Sequence, residues 1–260
     1  MNLMNSRILC VFAHPDDESY IVGGTLAHAS AHGAEIHLVS ATRGDKGVQH
    51  VEDPAEKERI THIREQELGN ACKVLGIKTF EVWDFPDGSL DNLGAREETL
   101  NEKIITTIET VKPDTIITFG PNGVSRHRDH IAIGKMTIKT VQQFFCHPER
   151  ERSEQSKDHP HMRVPAVYGV TIPRELIGEF ERILSARKKT TGHYYEMPLN
   201  DSPSLNDVER IDITSTLSTK FAACRAHASQ NPEGLIASFE QLPLKLKNFE
   251  YFLPLKNLEN

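Results

Sequence analysis

Two short stretches hold residue types that can carry metal chemistry. The first is Ala13-His14-Pro15-Asp16-Asp17-Glu18 and the second is His127-Arg128-Asp129-His130. His14, Asp17 and His130 make a set of two imidazoles and one carboxylate. A catalytic zinc takes such a set from a protein and keeps a position for water. The metal lowers the pKa of that water to about 7 and makes it a nucleophile at neutral pH. A general base must stand beside the water without being tied to the metal, and Asp16 fits, adjacent to a ligand but elsewhere on the turn. His127, one helical turn before His130, suits a group that stabilises an oxyanion and protonates a leaving amine. Asp129 can orient His127 through a ring nitrogen. The plainer alternative for the first stretch is a Pro15 turn followed by an Asp16 or Asp17 helix cap.

Both stretches follow apolar runs of strand length, Ile8 to Phe12 and Thr115 to Phe119. Open α/β sheets put their sites at such turns, outside the carboxyl ends of strands. Apolar runs and helical patterns alternate through the first half. Ser19 to His32 reads as a helix closed by Gly33, and Glu35 to Ala41 as the second strand. Pro54 to Leu75 reads as a long helix with Leu68, Ala71, Cys72 and Leu75 on its apolar face. Thr79 to Phe85 is the third strand, Pro86-Asp87-Gly88 a turn, and Arg96 to Val111 a helix. The alternation predicts an α/β fold, a Rossmann-like, mostly parallel sheet with helices on both faces, forming an α/β/α sandwich. The two ligand-bearing turns meet only if the first and fourth strands are neighbours, which the strand order 3-2-1-4-5 provides. Further strands are expected over Val164 to Ile172, Val208 to Ile213 and Phe249 to Leu253, with a helix from Thr214 to about Ser229.

The 260 residues suit one domain with a well-buried core. The charged, aperiodic run from Cys146 to Arg163 reads as an exposed insertion at 146–163. The alternative is a lid in which His147, His159 and His161 bind metal. A net charge of −7 and a pI of about 6.0 give no basic footprint for nucleic acid. The four cysteines form no CxxC pair, which argues against a thiolate zinc site and a disulfide scaffold and fits a reducing cytoplasm. No apolar run reaches the length of a membrane span, and Met1 to Ser6 leads into no signal-peptide core.

Taken in order, the two stretches resemble the PIG-L or LmbE-like family of zinc-dependent N-acetylglucosaminyl deacetylases. Supporting resemblances are Thr42-Arg43-Gly44-Asp45-Lys46-Gly47, Arg64-Glu65-Gln66-Glu67, the run from Pro113 to Pro121, and His227-Ala228-Ser229-Gln230. The resemblance implies one zinc per chain on His14, Asp17 and His130, other divalent metals remaining open. It implies a base in Asp16, an oxyanion-stabilising or acid role for His127, and substrate contacts from Arg64 and His227. The implied reaction is removal of the acetyl group from a small N-acetylated amino-sugar conjugate. An amidase of a thiol conjugate would use the same chemistry. A nucleotide-binding module is a different class, and Gly23-Gly24 is not the G-x-G-x-x-G turn it needs. A non-catalytic zinc-binding relative would have no need of Asp16 and His127. Arg64 and Glu67 also have a plain reading as a salt pair on a solvated helix face. His227 has one as a satisfied core or surface residue, and Asp84 and Asp87 have one as turn formers.

Overall fold

The computed structural model describes residues 1, 3–47, 53–146, 163–179, 182 and 201–255. Residues 147–162, with most of the expected insertion and its three histidines, lie outside the described residues.

Five strands run parallel in the order β3-β2-β1-β4-β5: β1 Arg7–Phe12, β2 Glu35–Thr42, β3 Thr79–Phe85, β4 Thr115–Phe119 and β5 Ala166–Thr171. This is the expected order, and it makes β1 and β4 neighbours, as the meeting of the two turns requires. β4 is buried at all five positions and β1 at all but Arg7, as central strands covered on both faces must be. Two strands from the second half, β6 Glu209–Asp212 and β7 Phe249–Pro254, extend the sheet beyond β5 in antiparallel register, giving seven strands ending β5-β7-β6.

The helices include α1 Asp17–Tyr20, α2 Gly23–Ala31, α3 Pro54–Leu75, α4 Arg96–Val111, α5 Gly123–Arg126, α6 Arg128–Cys146 and α7 Leu217–Ala226, and two more, Pro232–Glu240 and Leu244–Lys247, follow. Right-handed crossovers put α2 and α3 on one face and α4 and α6 on the other. α7 joins the first group, packing on α2 and α3. Among the described residues no helix is long and apolar enough to cross a membrane.

One expected helix is broken in two. Ser19 to His32 does not run through, because the chain leaves helical geometry at Val22 and starts again at Gly23. The new start has a long-range partner. The N–H groups of Gly24 and Thr25 donate to the Glu250 carboxylate at 3.1 and 2.8 Å, and Lys220 Nζ pairs with that carboxylate at 2.6 Å. A helix N-terminus leaves donors that need acceptors, and here the acceptor comes from β7. The helix expected from Thr214 to Ser229 is likewise a short 3-10 turn, then α7, then a second 3-10 turn at Ala228–Gln230.

α6 carries the second stretch and lies close on β4. A Cβ added at Gly134 would fall 2.5 Å from the Phe119 carbonyl oxygen. Gly134→Ala should therefore push α6 off the sheet and cost about 1–3 kcal/mol by overpacking. Gly178 has open space where its Cβ would be, so Gly178→Ala should be neutral or slightly stabilising. Urea midpoints of the two variants check this pair. A Gly134→Ala protein as stable as wild type would contradict the close approach.

Candidate active site

The carboxyl ends of β1 and β4 lie side by side, and both ligand-bearing turns leave from them. After β1 the chain turns at Ala13, whose carbonyl accepts from Thr42 N and Oγ1, each at 2.9 Å. Asp17 folds back over this turn. Its Oδ2 accepts the N–H of His14 at 2.8 Å and that of Ala13 at 3.2 Å. Its Oδ1 is left facing the other turn, 3.3 Å from His130 Nε2.

After β4 the chain is tightly coiled. Asn122 caps the Val124 N–H at 3.1 Å, and Val124 and Arg126 take φ of 65° and 57°, unfavourable for residues with a Cβ and most of all for a β-branched one. Gly123, at φ 61°, has room only for hydrogen, since a Cβ would fall 2.9 Å from His130 Cβ. Its carbonyl accepts from His130 Nδ1 at 3.0 Å. The His130 ring stacks on Phe119, centroids 3.9 Å apart.

These contacts decide which ring nitrogens carry protons. His14 Nε2 lies 3.2 Å from both Asp87 Oδ1 and Asp129 Oδ2. Carboxylates only accept, so Nε2 holds the proton and Nδ1 presents a lone pair. The Gly123 carbonyl does the same for His130, leaving a lone pair on Nε2. The two lone-pair nitrogens are 3.2 Å apart, and Asp17 Oδ2 is 3.7 Å from His14 Nδ1. Three acceptors converging without a donor call for a positive charge. Bonds of about 2.1 Å to a tetrahedral zinc give ligand–ligand edges of about 3.4 Å, close to the 3.2 Å between His14 Nδ1 and His130 Nε2 and the 3.3 Å between His130 Nε2 and Asp17 Oδ1. A carboxylate or carbonyl on the far ring nitrogen is also the outer partner that metal-bound imidazoles take. Without a metal, a proton on His14 supplies the charge. Burial opposes it, but Asp129, Asp87 and Asp17 outweigh burial and raise its pKa to about 10. Burial likewise works against the Asp17 anion, yet His130 and His14 hold its pKa well below the usual carboxylate range.

Asp16 is partnered differently. Its Oδ2 receives Arg64 Nη2 at 3.2 Å. Burial pushes its carboxyl up to about 6 against the pull of Arg64, with the Asp17 charge adding to the rise. The His127 ring stands 4.7 Å from the rings of both His14 and His130. Its Nδ1 accepts the Asp129 N–H at 3.3 Å, which leaves Nε2–H as a donor. Burial and the neighbouring His130 and His14 push its pKa down to about 4, so the ring is neutral at pH 7.

Several expectations need correction. The Asp129 carboxylate does not orient His127. It holds His14 Nε2 and accepts from the Gly88 and Leu90 N–H groups at 2.6 and 3.0 Å, and only its backbone reaches His127. Asp87, read from sequence as a turn former, shares His14 with Asp129. Burial would raise its pKa, but His14 outweighs it and holds it at about 2. The signal was its position, since Pro86-Asp87-Gly88 also follows the carboxyl end of a strand. Arg64 forms no solvated pair with Glu67. It is 3 % exposed and donates to Gly44 O at 2.5 Å, Pro15 O at 2.8 Å and Asp16. Glu67 instead accepts from Ser229 N and Oγ at 2.8 and 2.7 Å. His227 is fully buried, with Nε2 2.7 Å from Glu18 Oε1. Burial would lower its pKa, but Glu18 outweighs burial and raises it. Arg64 and His227 thus back the first turn from inside the protein.

The outer carboxylates carry a test. Asp87→Asn should weaken zinc binding about 10- to 100-fold and keep one equivalent at saturation. Asp84→Asn, at an exposed position, should leave the affinity unchanged. Competition titration with a chromogenic chelator reads both, and an unaltered affinity in Asp87→Asn would remove Asp87 from the site.

Comparison with known proteins bears on the same residues. The PIG-L family, described as GlcNAc-PI de-N-acetylase, matches residues 9–141, which include both turns. A Bacillus cereus protein named "Probable N-acetyl-alpha-D-glucosaminyl L-malate deacetylase 2" is 36% identical over 151 residues, 57% of this chain and 66% of that protein. The 1D-myo-inositol 2-acetamido-2-deoxy-alpha-D-glucopyranoside deacetylase of Acidothermus cellulolyticus is 28% identical over 250 residues, 87% of this chain and 80% of its own. Among solved structures, the 4-carboxy-2-hydroxymuconate hydratase of Pseudomonas putida superposes with a TM-score of 0.66 at 18% identity over 96% of each chain, a likeness of fold alone. With the family match spanning half of its length and both ligand-bearing turns, the chain belongs to the PIG-L family.

Proposed function

We propose that the protein is a zinc-dependent hydrolase that removes the acetyl group from an N-acetylated amino sugar, in a small conjugate of the N-acetylglucosamine type. One observation carries the reading. The converging acceptors His14 Nδ1, His130 Nε2 and the Asp17 carboxylate stand beside a carboxylate tied to Arg64 instead and the His127 imidazole, whose Nδ1 accepts the Asp129 N–H. A binding-only site has no use for the last two. The names of the two curated relatives support the substrate class, because both are deacetylases of a glucosamine unit joined to another small molecule.

In this reading His14, Asp17 and His130 hold the metal. When bound, zinc supplies the Lewis acidity that acidifies water and polarises an amide carbonyl. Asp16 takes the proton of the attacking water and returns it to the leaving amine. Arg64 turns the Asp16 carboxylate away from the ligand set and keeps it available as a base. His127, neutral with its proton on Nε2, donates to the oxyanion that develops on the acetyl carbon. The deacetylated amino sugar and acetate are the products. The described cysteines Cys10, Cys72 and Cys224 are free and buried, in keeping with a reducing compartment such as the cytoplasm.

Amine release from a panel of N-acetylglucosaminides, with and without a chelator, tests the function. Chelator-sensitive release is expected, and no release from any member contradicts the reading. Run on variants, the same assay separates the adjacent carboxylates. Asp16→Asn should keep one equivalent of metal and lose about 10²- to 10⁴-fold in kcat. Asp17→Ala should lose the metal itself. If Asp16→Asn turns over near normally, Asp16 is not the base.

A further inference from the structure

Asp16 sits at φ 140°, ψ −22°, a conformation that residues with a Cβ avoid and that persists only where the surroundings over-determine it. Two buried clamps hold it. Arg64 grips the Pro15 carbonyl and the Asp16 carboxylate. On the other side the Asp16 N–H donates to Glu18 Oε2 at 3.1 Å. Glu18 is itself held through its other oxygen, which accepts from Ser19 Oγ at 2.5 Å and from His227 Nε2 at 2.7 Å. Ser19 belongs to the same turn and moves with it. His227 belongs to the far end of the chain, at the end of α7, and is the contact that ties Glu18 to the rest of the protein. Among the described residues the His227 Nδ1 has no hydrogen-bond partner, so the ring's hydrogen bonding runs through Nε2 to Glu18. Two residues on, Ser229 grips Glu67, which stands one turn after Arg64 on α3. The 227–229 segment therefore holds Glu18 directly and grips α3 one turn beyond Arg64.

We propose that His227 is a positioning residue: through Glu18 it fixes the strained Asp16 turn, and with it the aim of the Asp16 carboxylate. The proposal rests on the reading of Asp16 as the base. It differs from substrate contact, since the ring is fully buried behind the turn. It also differs from simple packing. Without the His227 N–H the Glu18 carboxylate can swing on the Ser19 hydroxyl alone, and the Asp16 N–H loses its fixed acceptor. The turn then relaxes toward ordinary backbone angles and carries the carboxylate off line.

The test compares His227→Ala with His227→Gln, whose amide nitrogen reaches the place of Nε2 and restores the donor. Zinc content, kcat, KM and melting temperature are measured on each. Hydrogen exchange of the Asp16 amide is followed by NMR in the metal-free protein. His227→Ala should keep one equivalent of zinc and its KM, lose about ten- to a hundredfold in kcat, and exchange the Asp16 amide faster. His227→Gln should recover most of both. A rise in KM at constant kcat would overturn the proposal in favour of substrate contact. A lower melting temperature with kcat and Asp16 exchange unchanged would overturn it in favour of packing. Should His227→Ala not fold, His227→Asn serves in its place, polar and one methylene too short to reach Glu18, with the same expectations. If the wild-type protein releases no amine from any sugar, the proposed function fails and the exchange data alone decide on positioning. Faster exchange in the alanine variant, restored in the glutamine variant, supports it, and equal exchange in all three overturns it.

Discussion

The site depends on what happens at one ring nitrogen. His14 Nε2 is held between Asp87 and Asp129, and that contact turns His14 Nδ1 toward His130 as a lone pair. If the ring flipped, the converging acceptors would not exist. Asp129 is fixed in turn by the Gly88 and Leu90 N–H groups, and Asp87 by the Lys46 N–H at 2.8 Å. The loop after β3 thus reaches past β2 to orient His14 on the turn after β1. A negative charge bound through an imidazole raises the basicity of its other nitrogen. On the proposed ligand assignment, Asp87 and Asp129 strengthen His14 as a donor from the far side of its ring.

The division of labour between Asp16 and Asp17 follows from their neighbours. Asp17 gives one oxygen to two backbone N–H groups and aims the other at His130. Its charge is stabilised from all sides. Asp16 has one cation and an unfavourable burial, and its pKa moves the opposite way, up to about 6. Two adjacent carboxylates whose environments drive their pKa values apart are suited to different tasks. The backbone cost of presenting Asp16 in this way falls on a turn with positive φ, and the buried Arg64, Glu18 and His227 brace it.

Much of this was legible in the sequence. Apolar runs marked the first five strands, and the two turns at the ends of β1 and β4 pointed to those strands as neighbours. The residues proposed to hold the metal stand out by type at the strand ends. Less was legible where a partner lies far along the chain. The break in the first helix follows from Glu250, more than two hundred residues on. His227 reads as a lone helical histidine until Glu18 is found against it. The burial of Arg64 had a local sign that carried little weight. It stands four residues before Leu68, on the same stripe as Cys72 and Leu75, but a guanidinium is buried only where carbonyls and carboxylates meet it. Those carbonyls belong to Gly44 and Pro15, on two other loops.

Fold and chemistry separate in this architecture, since a hydratase superposes on the chain as a fold. The chemistry proposed for this chain lies in its converging lone pairs. Anomalous diffraction at the zinc edge, from crystals grown with the metal, tests them most directly. The expected result is one peak at about 2.0–2.2 Å from His14 Nδ1, His130 Nε2 and an Asp17 oxygen, with Asp87 and Asp129 still on His14 Nε2. A peak on the Nε2 side of His14, among Asp87 and Asp129, or a zinc that avoids His14 altogether, would contradict it.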